Sequence, residues 1–225
     1  MTETTSHPAT ERDYIPGLGK QVLQPLYDLV HHLAGLQQIH LEMISLAGLR
    51  DGHRVLDVGC GTGNLLRSTG RQHAGVELVG LDPDPKALAQ AGRKARRAGL
   101  TVRFDRGFAQ DLPYPDGSFD RVFSSLMLHH LDVAAKNTLL AEVHRVLRPD
   151  GRLILADALV DDRGHDRGHR HRGMRGRLHD NVGGAVARRI SAAGFTLAPT
   201  RTMRLRLGGT VGIELARPAG ISARP

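Results

Sequence analysis

The order of apolar and polar positions along the chain predicts an α/β protein built on a parallel sheet. From Arg54 onward, short apolar runs of strand length alternate with longer segments of helical spacing, the pattern of successive βαβ units. This alternation favours a Rossmann-like, doubly wound sheet. The strands expected in this part are Arg54–Val58, Glu77–Asp82, Val102–Arg106, Arg121–Ser124 and Arg152–Asp157.

Capping signals mark the helices between these strands. Asp84 followed by Pro85 is typical of a helix start, and Gly99 of a helix end, so a helix is expected over Lys86–Ala98. Asp132 is expected to cap the next helix, which is followed by a turn at Pro149–Gly151. The apolar face of that second helix consists of Leu139, Leu140, Val143, Val146 and Leu147.

The C-terminal part is expected to complete the sheet. A helix is predicted over 181–194, followed by strands over Thr196–Leu207 and Thr210–Ala216, with Gly208-Gly209 as a hairpin signal between them. The predicted sheet is therefore seven-stranded and mostly parallel, with an antiparallel C-terminal hairpin.

The two ends and one internal segment differ from this pattern. About the first 13 residues are polar and expected to be disordered, whereas residues 16–48 have helical apolar spacing. We therefore expect an N-terminal helical cap region over 1–50 and a cofactor-binding domain over 51–217. Residues 161–177, rich in Gly, Arg and His, are expected to form a flexible basic loop that could cover the substrate.

Composition narrows the function classes. No apolar run is long enough to span a bilayer. We expect no secretory signal, because the first residues are polar and no apolar segment follows them closely. Cys60 is the single cysteine, which excludes an internal disulfide and a multi-cysteine metal site. A cytoplasmic protein is expected, as a monomer or homodimer.

The net charge of +8 raises the question whether the protein binds nucleic acid. Aromatic residues make up only 4% of the chain, which disfavours binding by base stacking.

The segment Val55–Gly63 carries the clearest chemistry, because an apolar strand leads directly into Gly59, Gly61 and Gly63. Such a loop lets a ligand approach the backbone at a helix N-terminus. A dinucleotide fingerprint needs glycine where Asn64 stands, and Asp57 takes a position that is usually apolar in nicotinamide enzymes. Asp82, at the end of the second strand, can accept hydrogen bonds from ribose hydroxyls, although a helix N-cap is the alternative.

Together, four motifs in order resemble the class I S-adenosylmethionine-dependent methyltransferases, of the branch similar to ubiquinone/menaquinone-biosynthesis C-methyltransferases. The motifs are VLDVGCGTGN, LDPDPKAL, GFAQDLPYPDGSFDRVFSSLMLHHL and EVHRVLRPDGRLILAD. The resemblance implies a methyltransferase that uses S-adenosylmethionine and a small-molecule acceptor methylated at O, N or C. Orientation of the acceptor in line with the methyl group is then the main catalytic contribution.

The resemblance also implies a role for each matching position. The three glycines and Asn64 would hold the methionine part, Asp57 its amino group and Asp82 the ribose. The adenine would lie between Pro83 and the segment Gly107, Phe108 and Ala109, while Ser124 and Ser125 would face the sulfonium. Tyr27 resembles a tyrosine that closes over the cofactor; the alternative is a core aromatic.

Phe108 departs from the family pattern, which commonly has an acid at this position to accept from the adenine amino group. A phenyl ring cannot accept that hydrogen bond. Phe108 therefore either covers the adenine or simply packs, and the sequence leaves both interpretations open.

His129 and His130 directly follow the fourth strand, so either could act as the base that takes the acceptor's proton. His129 is the first candidate of the two. The alternative is that one of the rings only caps the following helix. No acid for a catechol-type metal site is present near that strand end, so no metal is expected. His165, His169 and His171 could bind a metal, but a mobile lid is the favoured interpretation.

The other functions left open are a non-methylating protein of the same fold, an RNA methyltransferase and a nicotinamide dehydrogenase.

Overall fold

The computed structural model describes residues 35–159, 184–206 and 209–220. The strands are β1 Arg54–Val58, β2 Glu77–Asp82, β3 Val102–Arg106, β4 Phe119–Ser125, β5 Leu147–Leu159, β6 Phe195–Leu197, β7 Arg201–Arg204 and β8 Thr210–Pro218. The helices are α1 Leu36–Ala47, α2 Asn64–Gln72, α3 Pro85–Arg97, α4 Val133–Val146 and α5 Ala185–Ala192, with a short 3₁₀ turn at Leu128–His130.

These strands form one sheet in the order β3-β2-β1-β4-β5-β8-β6, and β7 also pairs with β8. Strands β1 to β5 are parallel to one another, and β8 is antiparallel to β5, β6 and β7. The predicted α/β class and mostly parallel sheet with antiparallel C-terminal strands are confirmed. From β1, the strands β2 and β3 are added on one side of the sheet, and β4 and β5 are added on the other. Ligands bind at such a switch point, here between β1 and β4, in open α/β sheets.

The predicted strand Thr196–Leu207 is divided in the structure, so that β6 and β7 share one edge of β8. β6 pairs with the end of β8 and β7 with its beginning. Pro199 lies between the two short strands and has no N–H to donate to β8. The described sheet therefore has eight strands in seven positions.

The turn expected at Pro149–Gly151 lies within β5 as an irregularity. Phe119 pairs with Leu147, but Arg121 already pairs with Arg152, so β5 carries extra residues that bulge away from β4. Phe119 is fully buried, which explains why β4 begins there and not at Arg121.

The helices cover the two faces of the sheet with separate apolar clusters. Helices α4 and α5 pack on one face through side chains such as Leu140 and Ile190. Helices α1 and α2 pack on the other face, where Ile39 and Met43 of α1 are buried with Ile154 of β5. None of the described helices is long and apolar enough to cross a bilayer.

Candidate functional site

The glycine loop after β1 is held against the end of β2 by backbone hydrogen bonds. The N–H groups of Gly59 and Cys60 donate to the carbonyl of Leu81 at 2.8 and 3.1 Å. The N–H of Gly61 donates to the Asp82 carboxylate at 2.9 Å. The loop geometry is therefore fixed by β2, and its remaining surface faces the crevice between β1 and β4.

All three loop glycines adopt the left-handed backbone region, with φ of 74° at Gly59, 51° at Gly61 and 74° at Gly63. Their surroundings differ. A Cβ atom at Gly59 would lie 2.4 Å from Cγ of Met127, whereas a Cβ at Gly61 would meet nothing within 4 Å. Gly61 therefore borders open space at the position where a ligand would approach.

Two alanine substitutions separate backbone strain from crowding in this loop. Gly59→Ala is expected to lower the free energy of unfolding by about 2–4 kcal/mol, from left-handed strain together with overlap with Met127. Gly61→Ala should cost only the strain, about 1–2 kcal/mol. Urea denaturation of the two variants measures this difference. Equal losses in both would contradict the packing of Met127 on Gly59.

Asp57 lies at the end of β1 and is 2% exposed. Its Oδ1 is buried and has no hydrogen-bond partner among the described residues. Burial, and to a lesser extent the charge of Asp82, raise the pKa of Asp57 to about 8. A buried carboxylate oxygen without a partner is costly, and the described residues supply no donor to Asp57 Oδ1.

Asp82 points into the same loop. One carboxylate oxygen accepts from Gly61 N–H and the other from Asp84 N–H, both at 2.9 Å. Burial raises its pKa, and the two backbone hydrogen bonds oppose that shift. The helix N-cap alternative for Asp82 is excluded, since the side chain of Asp84 caps α3 by accepting from Lys86 N–H at 2.8 Å.

The predicted adenine segment lies beside the end of β2. Gly107 N–H donates to the Asp82 carbonyl at 3.3 Å, and Ala109 is buried while Phe108 and Pro83 are half-buried. The structure thus brings the predicted ribose and adenine residues together.

Lys94 of α3 is a contributor that the sequence analysis missed. Its ammonium donates to Thr62 Oγ1 at 2.9 Å and to Asn64 Oδ1 at 3.1 Å. The side-chain oxygen of Asn64 is therefore engaged with α3, which ties the start of α2 to the next helix. A lysine 30 residues away gives no local signal of this contact.

At the end of β4 the two adjacent serines face opposite sides of the sheet. Ser125 lies toward α1, where its hydroxyl is 3.4 Å from Nε2 of His40. The hydroxyl of Ser124 is buried without a hydrogen-bond partner among the described residues. Leu126, the next residue, has a φ of 54°, a left-handed conformation that turns the chain sharply at this edge.

His129 is held by Asp157 from the end of β5. The ring Nδ1 lies 2.5 Å from Asp157 Oδ1, and the backbone N–H of His129 donates to Asp157 Oδ2 at 2.9 Å. Asp157 is 2% exposed. Since a carboxylate accepts hydrogen bonds, Nδ1 carries the proton and Nε2 is the ring nitrogen that can accept one.

Some predicted positions lie outside the described residues. These are Tyr27, the loop 161–177 and its histidines His165, His169 and His171. Within the described ranges, no group of three or more potential metal ligands comes together.

Comparison with known proteins finds similar proteins for the central part of the chain. Residues 55–151 match the family described as methyltransferase domain. The demethylmenaquinone methyltransferase of Thermus thermophilus is 36% identical over 138 residues, which are 60% of this chain and 62% of that protein. The 27-O-demethylrifamycin SV methyltransferase of Amycolatopsis mediterranei is 37% identical over 116 residues, 50% of this chain and 41% of that protein.

Among solved structures, a chain described as the [4+2]-cyclase SpnF superposes with a TM-score of 0.68 and 22% identity, covering 81% of both chains. This likeness establishes a shared fold. Residues 55–151 therefore match a methyltransferase domain, and the curated relatives include demethylmenaquinone methyltransferases, in agreement with the resemblance of the motifs. The chain spans about three fifths (62%) of the length of the Thermus thermophilus relative.

Proposed function

We propose that the protein transfers a methyl group from S-adenosylmethionine to a small-molecule acceptor without a metal ion. The observation that supports this most directly is the pairing of two arrangements at one edge of the sheet. A cradle of loop glycines with two buried carboxylates lies at the ends of β1 and β2, and a histidine oriented by a buried aspartate lies at the ends of β4 and β5.

The residues present fit the cofactor. The unpartnered Oδ1 of Asp57 would accept from the cofactor's ammonium group, and the open side of Gly61 leaves room for its methionine part. Asp82 keeps lone pairs free for two ribose hydroxyls, because each oxygen accepts only one backbone hydrogen bond in the structure. Pro83, Phe108 and Ala109 would border the adenine.

When bound, the cofactor supplies an electrophilic methyl group, so this chain mainly has to orient the acceptor. Orientation of this kind can account for about 7–11 kcal/mol of the barrier. In such a transfer, the acceptor would take the methyl group in place of the sulfur and would lose a proton. His129 Nε2 would take that proton, while Asp157 stabilises the resulting imidazolium.

The relatives support a small-molecule acceptor, because the names of the Thermus and Amycolatopsis proteins refer to a quinone and a rifamycin. The alternatives are a protein of this fold that rearranges a small molecule without methyl transfer, and an RNA methyltransferase. The likeness to a cyclase concerns the fold alone. The expected cytoplasmic location stays a prediction.

Binding and turnover test the proposal separately. In isothermal titration, S-adenosylhomocysteine should bind at one site per chain, and NADH should not bind. With radiolabelled S-adenosylmethionine, label should transfer to a member of a panel of hydroxylated aromatic and quinone acceptors, and not to total RNA. Absence of S-adenosylhomocysteine binding would contradict the cofactor; binding together with rearrangement of a panel compound without label transfer would favour the non-methylating alternative.

A further inference from the structure

Three arginine side chains lie side by side at the amino-terminal end of the parallel strands, far from the cofactor edge. Arg121 of β4 pairs with Arg152 of β5. Arg217 of β8 stands opposite Arg152, because the antiparallel register pairs Leu153 with Ala216 one step earlier. The alternation of side chains along each strand places all three on the face covered by α1.

The end of α1 accounts for only part of this row. Nε of Arg121 donates to the Ala47 carbonyl at 2.5 Å, and its Nη2 donates to the Gly48 carbonyl at 3.3 Å. Among the described residues, Arg152 makes one hydrogen bond, from Nη1 to the Leu46 carbonyl at 3.4 Å. These hydrogen bonds satisfy the last carbonyls of a helix. They leave four of the five N–H groups of Arg152, and all those of the exposed Arg217, for other partners.

Asp120 and Asp150 offset part of the positive charge at Arg121, whereas the charges that act on Arg152 are those of Arg217 and Arg50. The nearby carboxylate of Asp120 is engaged with Arg148 at 2.6 Å and with the backbone N–H of Arg54 at 2.7 Å. In the part of the chain that the structure describes, no carboxylate forms an ion pair with Arg152, Arg217 or Arg121. Like charges on adjacent strands are destabilising when nothing compensates them.

Arg50, which follows α1, lies close enough to Arg152 for its charge to act on that guanidinium, and none of the ion pairs among the described residues includes it. Burial lowers the pKa of Arg152 below its ordinary value, and the charges of Arg217 and Arg50 lower it further. A ligand that brought negative charge between these three groups would remove this mutual repulsion.

We propose that Arg50, Arg152 and Arg217 form a binding site for a small, phosphate-bearing anion of the diphosphate type. The planar guanidinium group matches phosphate oxygens with paired hydrogen bonds. Arg152 and Arg217 stand on neighbouring strands, which are about 4.8 Å apart. Their two charges therefore lie within a distance suited to one compact anion. A nucleic-acid strand would call for a longer basic groove with stacking aromatics, and the chain has only 4% aromatic residues and no tryptophan.

Occupation of this site would act on α1. The anion would hold Arg152 beneath the carbonyl end of the helix, and α1 carries His40, which contacts Ser125 at the opposite edge of the sheet. Because the ligand would bind the folded chain and not the unfolded one, it should raise the melting temperature.

Inorganic pyrophosphate is the probe, used at constant ionic strength adjusted with sodium chloride. Isothermal titration should show saturable binding to the wild-type chain, and binding should weaken at least tenfold in the double variant Arg152→Gln/Arg217→Gln. Arg204→Gln, an exposed arginine on β7, removes charge elsewhere and should bind as the wild type does. Arg121 is left intact because it caps α1. Thermal unfolding without ligand verifies that each variant is folded.

Further titrations identify the chemical source of the anion and distinguish this site from others on the protein. Pyrophosphate should bind equally well with saturating S-adenosylhomocysteine, which separates this site from the cofactor edge. Tighter binding of ATP than of tripolyphosphate would indicate a nucleotide, and the reverse an inorganic polyphosphate. Equal weakening in Arg204→Gln, or no saturable binding, would overturn the proposal. So would an RNA oligonucleotide that binds through Arg152 and Arg217 and is not displaced by pyrophosphate.

Discussion

Replacing His129 by alanine is expected to lower kcat about 10²–10⁴-fold while leaving the affinity for S-adenosylhomocysteine within a few-fold of wild type. This magnitude is that of general base catalysis. Cofactor affinity should change little, because the glycine loop, Asp57 and Asp82 lie at the ends of β1 and β2. Asp157→Asn should lower kcat in the same direction, because the carboxylate that selects the ring tautomer and stabilises the charged imidazolium is lost. The acidic limb of the kcat–pH profile, which reports protonation of the base, should be absent in His129→Ala.

His130→Ala is the matched control, since the His130 ring lies 4.2 Å from that of His129. Its kcat should stay within a few-fold of wild type. The measurement uses the acceptor found in the radiolabel panel. If His130→Ala reduced kcat as strongly as His129→Ala, or if His129→Ala lost cofactor affinity in proportion, the assignment of His129 as base would be wrong.

Asp57→Asn is expected to weaken S-adenosylhomocysteine binding about 10–100-fold at pH 8.5, the worth of a charge-assisted hydrogen bond. Because the pKa of Asp57 is raised to about 8 in the ligand-free protein, the carboxyl is largely neutral below that pH. Binding of an ammonium group requires the charged form. Wild-type affinity should therefore rise with pH up to about 8, and the variant's affinity should not follow this rise.

The same substitution should change stability in the opposite direction. The folded pKa of Asp57 lies above its unfolded value, so the folded state holds the extra proton between roughly pH 4 and pH 8. Stability from this group falls as pH rises through that window and is lowest above pH 8. Ligand-free Asp57→Asn should therefore melt higher than wild type at pH 8.5, with a smaller difference at pH 5.

Asp84→Asn is the control for both measurements on Asp57. Asparagine caps a helix as well as aspartate does, so cofactor affinity and its pH dependence should stay as in wild type. Loss of affinity in Asp84→Asn equal to that in Asp57→Asn would show that negative charge near the loop, and not the specific carboxylate, controls binding.

Local signals in the sequence specify much of this fold. The predicted bounds of β1, β2 and β3 agree with the structure, because each strand is a short apolar run bounded by polar or turn residues. The cap of α3 at Asp84 follows from the Asp-Pro pair alone. The division of the predicted strand Thr196–Leu207 could not be read from its alternating pattern, since its two halves pair with opposite ends of β8.

The site residues divide in the same way. Gly59, Asp57 and Asp82 belong to one contiguous motif and the strand beside it, and the structure brings them together as expected. The partner of His129 is 28 residues further along the chain, and Lys94 reaches Asn64 across 30 residues. Such contacts depend on how α3 and β5 pack, and no local pattern in a single sequence encodes them.

The divided edge strand also affects how copies of this chain can associate. A long, flat edge invites another chain to add a strand, and short, charged edge strands discourage it. β6 and β7 are only three and four residues long, and β7 carries exposed arginines at both ends. This edge of the sheet is therefore protected against the addition of strands from further copies of the chain.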